Sequence, residues 1–410
     1  MRRIMIRKVG PIEYADITLN RYNVFIGKQS SGKSTIAKIV SNCTWMEKEV
    51  ATHPYNPVSV YENTYRDELV VFHNMDGYVK DDAYILYDSD YVTIELKGVK
   101  CSITRKPAID SYLRKKTLYI PSERNIVVYS DGIGGANNLR SFAADWQSAR
   151  EVFDEKNKQA VLDLGISYYK KGENGKSTNQ VVSTSKGKEY DIDLKSGSSG
   201  LQSVIPITVS IDFFTGIAYN PKVQGDLLKA NDKHSLNQLS EYYVRMHKDE
   251  VLMGPVESVM KNLLGEISGL VSLNTTSFVI EEPENNLFPE TQYALMKYLF
   301  TCMNRAGRKH EMTITTHSPY ILSTLNIFLM AGRLKDDAAM GADVLRISEG
   351  SYIDGGELSV WSVERGGVKP IIDKQTGMIS ENYLDTVSDV LGGKFNELYR
   401  LFLQTLRDLK

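Results

Sequence analysis

The stretch Tyr22-Asn23-Val24-Phe25-Ile26-Gly27-Lys28-Gln29-Ser30-Ser31-Gly32-Lys33-Ser34-Thr35 decides the fold. Its first five residues are an apolar run too short for a helix and closed by glycine, which reads as a buried strand. The residues from Gly27 to Thr35 match G-x-x-x-x-G-K-[ST], and the pattern from Ser34 past Val40 reads as a helix. The two glycines let the backbone wrap closely around phosphate. Loop N–H groups and the helix N-terminus supply donors, Lys33 reaches the β/γ-phosphates, and Ser34 can ligate Mg²⁺. Strand, loop and helix in this order predict an α/β phosphate-loop protein that takes a nucleotide's phosphates and Mg²⁺, with every residue from Gly27 to Thr35 at the nucleotide.

Three further motifs belong with this one. Ser277-Phe278-Val279-Ile280-Glu281-Glu282-Pro283-Glu284 is an apolar strand ending in carboxylates, which are costly there unless a cation or a reacting water uses them. Side chains alternate along a strand, so Glu281 and Glu282 point differently: one suits the Mg²⁺ shell, the other the attacking water. Thr315-Thr316-His317-Ser318-Pro319 closes the next strand, after a helix from about Glu290 to Arg305, and the strand-helix-strand unit brings His317 to the same sheet edge. Ser196-Gly197-Ser198-Ser199-Gly200 read alone is a flexible linker; read as the N-terminus of an apolar helix opening at Leu201, with bare N–H groups, it is a second anion site. By contrast, Gly172-Glu173-Asn174-Gly175-Lys176-Ser177 has two residues between its glycines instead of four, and reads as a hairpin turn.

These motifs resemble, in order and spacing, those of ABC-type ATPases of the RecF, SMC and OLD (overcoming lysogenization defect) group, most of all the OLD-like branch. The likeness covers roughly residues 1 to 325. It implies a P-loop ATPase of ABC type, with a mixed, partly parallel core sheet, an antiparallel β subdomain and a helical lobe. It implies Lys33 and Ser34 on phosphate and Mg²⁺, Glu281 at the metal, Glu282 as catalytic base and His317 on the γ-phosphate. Ser198, Ser199 and Gly200 would serve a nucleotide bound by a neighbouring copy, so ATP would close a homodimer or a higher homo-oligomer. The segment Tyr119-Ile120-Pro121-Ser122-Glu123-Arg124 stands where such proteins carry their Q-loop, without the Gln. Gln29-Ser30 replaces the usual Asn-Gly and Glu281 the usual Asp, which suits slow, switch-like turnover.

Outward from the motifs, the chain divides by expectation into an ATPase over 1–355 and an extension over 356–410. The ATPase comprises an N-terminal lobe 1–60, a β-rich segment 60–125, a helical and hairpin insertion 126–195, and a lobe 196–355. Short strands are expected at Ile4–Ile6, Asp16–Leu19 and Thr117–Pro121, and an antiparallel meander at Leu69–Phe72, Tyr84–Tyr87 and Tyr91–Leu96. The spacing predicts a helix over 137–164, a loop near 220–237, helices up to Leu270, strands at Val344–Ile347 and Leu358–Val363, and two last helices. Their apolar stripe of Phe395, Leu398, Leu401, Phe402 and Leu406 is expected to pack in the core, or else to dock a partner.

Composition limits the function classes. Of 410 residues 42% are apolar and 24% charged, which excludes wholesale disorder. Lys plus Arg number 49 and Asp plus Glu 51, a net charge of −2, so no global field attracts nucleic acid. The basic residues Arg105, Lys106, Arg114, Lys115, Lys116 and Arg124 read as a solvated face in preference to a DNA patch. Three scattered cysteines (Cys43, Cys101, Cys302), no signal-peptide pattern, and polar interruptions in the apolar segment 201–219 lead us to expect a cytoplasmic protein without a membrane span. No sustained heptads support SMC-like arms, and the residues after His317 hold no Asp-x-Asp pair for a nuclease metal site of the TOPRIM kind. The expected function is a stand-alone OLD-like ATPase regulating a separately encoded effector, as in two-gene antiphage systems. The alternatives are a RecF-like DNA-clamping repair factor and a nucleotide-dependent scaffold.

Overall fold

In chain order, the computed structural model forms β1 (Arg2–Val9), β2 (Ile12–Leu19), β3 (Tyr22–Ile26), α1 (Lys33–Thr52), α2 (Val58–Asp67), β4 (Val79–Asp88), β5 (Val92–Lys97), β6 (Lys100–Arg105) and β7 (Lys115–Ile120). The middle of the chain supplies α3 (Asn137–Arg150), β8 (Gln159–Ala160), β9 (Ile166–Glu173), β10 (Lys176–Ser183), β11 (Tyr190–Asp193) and α4 (Ser199–Thr215). The last third adds β12 (Thr275–Glu281), α5 (Pro289–Met303), β13 (Glu311–Thr316), α6 (Pro319–Leu334), α7 (Gly341–Ile347), β14 (Leu358–Glu364) and β15 (Gly367–Pro370). The described residues are 2–129, 137–173, 176–183, 185, 187, 189–224, 238, 241–242, 270–380 and 390–400.

One 11-stranded sheet runs in the order β6-β5-β4-β1-β2-β15-β14-β3-β13-β12-β7, beside a four-stranded sheet β11-β10-β9-β8. From β14 through β3, β13 and β12 to β7, every neighbouring pair is parallel. From β2 through β1, β4 and β5 to β6, every pair is antiparallel. This is the expected α/β class: a mixed sheet whose parallel half carries the motifs and whose other half is an antiparallel lobe. Strand β3 is buried along its whole length, because helices cover both faces of a parallel sheet. Its period of two then divides it between two cores. Tyr22, Val24 and Ile26 join one with α5 and α6, while Phe25 joins another with Ile36, Ile39 and Val40 of α1.

Several elements differ from the expectations. Glu68–Phe72 is a turn of π-helix continuing α2, not a strand: Tyr61, Tyr65 and Leu69 are buried at a spacing of four, a helical stripe, while Val71 is 59% exposed. The helix from 137 stops at Arg150, because the Asp154 carboxylate accepts from the backbone N–H groups of Lys156 and Asn157 and makes a turn there. Val344–Ile347 lies within helix α7, led in by Asp337, whose carboxylate accepts from the N–H groups of Ala339 and Met340. Residues 221–224 are helical, and the remainder of the expected loop and most of the helices up to Leu270 fall outside the described residues.

The largest displacement concerns the boundary at 355/356. Strands β14 and β15 sit inside the large sheet, β14 directly beside β3. Leu358, Val360 and Val363 are buried there, so residues 358–370 complete the core sheet. Beyond them, residues 390–400 are helical, with Phe395 and Leu398 at 67% and 66% exposure. The described part of that stripe is therefore on the surface and not in the core; Leu401, Phe402 and Leu406 lie outside the described residues. The segment Ser199–Tyr219 is long and apolar enough to cross a membrane, with mean hydropathy 1.4, but 78% of that stretch is buried within the protein, as a core helix is.

Between the helices over the parallel half, Phe328 of α6 is fully buried against Phe300 and Tyr293 of α5, with ring centroids 5.7 and 6.2 Å away. Phe328→Ala should cost about 3–5 kcal/mol through lost burial and the cavity it leaves, read as a lowered denaturant midpoint. A midpoint equal to the wild type would show that the two helices close over the gap.

Candidate functional site

The site begins where β3 ends. Gly27 lies so close to the β14 edge that a Cβ there would stand 2.2 Å from the Val363 carbonyl oxygen, and Gly32 has φ +107° with the Ile12 side chain against it. Only glycine fits either place. Gly32 then precedes α1, whose first turn has neither a side-chain cap nor an acidic residue, so its N–H groups face outward unblocked. A cavity of about 600 Å³ opens over this loop, lined by Gln29 to Thr35, by Glu282 and His317, and on its far side by Gly10, Pro11 and Tyr78. The sequence reading missed that far wall. Pro11 is in the β1–β2 turn and Tyr78 just before β4, neighbours only because Gly10 N–H donates to the Tyr78 carbonyl at 3.0 Å.

Lys33 bends back over the loop. Its Nζ donates to the carbonyls of Gly27 at 2.9 Å and Lys28 at 2.8 Å, and stands 3.4 Å from His317 Nδ1. The other ring nitrogen, His317 Nε2, is 2.9 Å from Glu282 Oε1. The glycine-rich loop, the histidine after β13 and the carboxylate after β12 therefore form one line across the cavity: Lys33, His317, Glu282. Glu282 has φ +43°, a left-handed conformation rare for a residue with a side chain, and its N–H donates to the Thr315 carbonyl of the next strand.

Glu281 faces the other way, as the alternation requires. It is 5% exposed, and its Oε1 accepts from the Tyr119 hydroxyl at 2.5 Å, with the Ser34 hydroxyl as a further donor. Burial raises its carboxyl above the ordinary range, against the pull of those hydroxyls and of Lys38. Glu282 is held below its ordinary value, first by the hydrogen bond to His317. Burial draws the Lys33 ammonium down to about 8, opposed by Glu282, Glu284 and Glu281.

Three residues that the sequence left without a role hold this geometry. Glu284, assigned none by the motif reading, accepts at Oε1 from the Thr316 hydroxyl (2.8 Å) and the His317 N–H (2.6 Å), fixing the turn that carries His317. Tyr119 braces Glu281 from the parallel strand β7. Arg124, read as part of a solvated basic face, is 0% exposed. Its guanidinium donates to the carbonyls of Glu281, Glu282, Pro283, Pro121 and Ser203, and burial lowers it to about 10. Tyr119 and Arg124 both fall in the stretch marked as the Q-loop, the one signal that could have found them.

The rest of the basic group is half-buried and also engaged within the chain. Arg105 donates to the Asn56 carbonyl, Arg114 to that of Val271, and Lys106, Lys115 and Lys116 pair with Asp88, Glu311 and Asp145. Ser198, Ser199 and Gly200 do not line the cavity. Helix α4 opens at Ser199, two residues before the expected Leu201, and Ser198 Oγ caps it by accepting the Leu201 N–H at 3.4 Å. Gly200 abuts the backbone of the loop after Glu282, where a Cβ would stand 2.9 Å from the Asn286 carbonyl oxygen.

The residues present fit a hard divalent cation: the Ser34 hydroxyl on the cavity wall and the Glu281 carboxylate buried behind it are both oxygen donors. Among the described residues no cluster of three or more His, Cys, Asp or Glu could hold a metal alone. Any cation at Ser34 and Glu281 would need phosphate oxygens and water to complete its shell.

No family model matches this sequence, and no curated protein matches it. Solved structures do match in shape. An Smc head bound to the C-terminal winged-helix domain of ScpA has a TM-score of 0.42 at 10% identity, covering 91% of this chain and 98% of that one. An Smc head with an extended coiled coil, bound to the C-terminal domain of ScpA and derived from Pyrococcus furiosus, has 0.39 at 9% identity, with 96% and 99% covered. The recombination mediator RecF has 0.29 at 9% identity, with 90% and 97% covered. At such scores the likeness carries no functional weight, and the case rests on the site's own residues.

The depressed Lys33 value makes a pH prediction. In the free protein Lys33 keeps its proton below about pH 8 and loses it above, while a bound polyphosphate favours the charged form. ATP binding at pH 9 should therefore take up a proton at Lys33, and binding at pH 6.5 should take up none there. Calorimetry in buffers of different ionisation enthalpy reads this directly. Uptake at pH 9 that persists in Lys33→Ala would assign the proton elsewhere.

Proposed function

We propose that this chain is an ABC-type ATPase that binds MgATP on the loop Gly27–Thr35 and hydrolyses it slowly, as a switch. The observation behind this reading is the line Lys33 Nζ, His317, Glu282 Oε1 across one cavity, drawn from the ends of three parallel strands remote in sequence. In this reading the polyphosphate displaces Lys33 from the loop carbonyls and lies on the N–H groups before α1. Ser34 and Glu281 hold the Mg²⁺, which when bound neutralises phosphate charge and polarises the γ-phosphate. Glu282, kept ionised, orients and deprotonates the attacking water, and His317 contacts the γ-phosphate. Pro11 and Tyr78 supply the wall on which the base lies, an aromatic face of the kind that stacks on nucleobases.

The motif resemblance supports two extensions. Ser198, Ser199 and Gly200, away from this chain's own cavity at the start of α4, would close over the nucleotide of a second copy, giving a homodimer or larger assembly. An OLD-like subunit would act through a separately encoded effector, and antiphage defence is the setting of the systems it resembles. A reducing cytoplasm suits its three unpaired cysteines. A RecF-like DNA clamp finds less support, because the basic side chains proposed for DNA are half-buried and already engaged by carbonyls and carboxylates of this chain.

Glu282→Gln keeps the size of the side chain and removes the base. The purified variant should bind ATP like the wild type, lose at least about a hundredfold in turnover, and run with ATP and Mg²⁺ at twice the monomer mass or more. Tyr78→Ala should weaken ATP binding severalfold without changing the turnover of bound ATP. A variant Glu282→Gln that stays monomeric with ATP bound would overturn the shared site. Undiminished turnover in that variant would overturn the assignment of the base.

A further inference from the structure

Glu281 carries one methylene more than an aspartate would, so its carboxylate has an extra rotatable bond between the strand and any cation. On β7, paired in parallel with β12 so that Tyr119 stands opposite Val279, the Tyr119 side chain reaches the same end of the sheet. Its hydroxyl donates to Glu281 Oε1 at 2.5 Å, and the bond is buried. The ring is itself confined. It packs in a small cluster with Ala37 of α1 and Val279, and meets the buried His73 ring edge-on at 4.9 Å and 67°. His73 closes the π-helical turn that continues α2, and neither of its ring nitrogens has a hydrogen-bond partner. Packing thus confines the Tyr119 ring, and the Asn138 side chain is a second hydrogen-bond partner of its hydroxyl.

We propose that Tyr119 is a positioning residue that holds the longer Glu281 carboxylate in the one orientation from which it shares a nucleotide-bound divalent cation with Ser34. The proposal rests on the MgATP reading above. Tyr119 occupies one acceptor position on Oε1 and leaves the remaining lone pairs of the carboxylate for the cation's shell. Groups of this kind behind a metal ligand change metal affinity by about 10–100-fold when removed. The pair is also self-consistent: a shorter aspartate on the same strand would draw its carboxylate back from the tyrosine, and Tyr119→Phe would leave Glu281 free to rotate.

The test uses the full chain, a fluorescent non-hydrolysable ATP analogue and a Mg²⁺ titration, so that nothing depends on turnover. The variants are Tyr119→Phe, Glu281→Asp, the two together, and Tyr65→Phe as a control. Tyr65 is likewise buried, and its hydroxyl meets Cys43 Sγ at 3.1 Å, in the core beneath α2. In Tyr119→Phe the Mg²⁺ concentration at which analogue binding is half-tightened should rise about tenfold, with Mg²⁺-free binding unchanged, and Tyr65→Phe should leave the midpoint alone. In the Glu281→Asp background, introducing Tyr119→Phe as well should shift the midpoint little further. A wild-type midpoint in Tyr119→Phe, an equal shift in Tyr65→Phe, or fully additive shifts in the double variant would each overturn the proposal. Should Tyr119→Phe fail to fold, Glu281→Asp by itself must raise the midpoint, and an unshifted value overturns it. A wild type that binds no nucleotide overturns the ATPase reading together with this one, whereas a Mg²⁺-coupled wild type with an unshifted Tyr119→Phe overturns only the role of Tyr119.

Discussion

Everything at the site depends on keeping acidic side chains in place at the ends of buried parallel strands. Carboxylates there lose most of their hydration, and burial raises Glu281 and Glu284 accordingly. The fully buried guanidinium of Arg124 answers this with positive charge. Its hydrogen bonds go to backbone carbonyls and not to the carboxylates themselves, so it steadies the strand end through the main chain and leaves the acids free for other partners. The same side chain also donates to the Ser203 carbonyl in α4. One residue therefore joins the acidic strand end to the helix opened by the Ser-Ser-Gly stretch, and a shift of either passes through it.

The sheet explains why the acids, the histidine and the glycine-rich loop meet at all. Strands β3, β13 and β12 are parallel neighbours in register, so their carboxyl ends lie side by side, and each end carries one motif. Strand β14 guards the other flank: its Val363 carbonyl comes so near Gly27 that the first turn of the loop can carry no side chain. The antiparallel lobe contributes at a distance. The turn after β1 and the residue before β4 bring Pro11 and Tyr78 to the far wall of the cavity, held together by a backbone hydrogen bond.

Legibility followed the range of the interactions. Gly27 to Thr35, Glu281, Glu282 and His317 could be read because each motif is local: a glycine where the loop turns sharply, an acid at a strand end, a histidine at the next. Tyr119, Glu284 and Arg124 could not be given roles, because their partners lie 162, 33 and 157 residues away and nothing in a tyrosine, a glutamate or an arginine announces such a partner. The misread elements have the same origin. Glu68–Phe72 is an unbroken apolar run after its first acid, and only the buried side of α2 reveals that Leu69 extends a helical stripe. Leu358–Val363 reads as a strand, yet its neighbour is β3, more than three hundred residues earlier by chain position.

By itself, the sequence determined the local pattern of this protein: a glycine-rich loop between a strand and a helix, acids and a histidine at strand ends, and an α/β class. These follow from short-range rules of backbone freedom, side-chain alternation and hydrophobic period. Only the tertiary structure decided how β14 and β15 complete the core sheet, that the basic cluster pairs with carbonyls and carboxylates of its own chain, and that Arg124, Tyr119 and Glu284 set the positions of the acids and the histidine. Those outcomes depend on which strands become neighbours, a matter of packing over long sequence separations that no local pattern encodes.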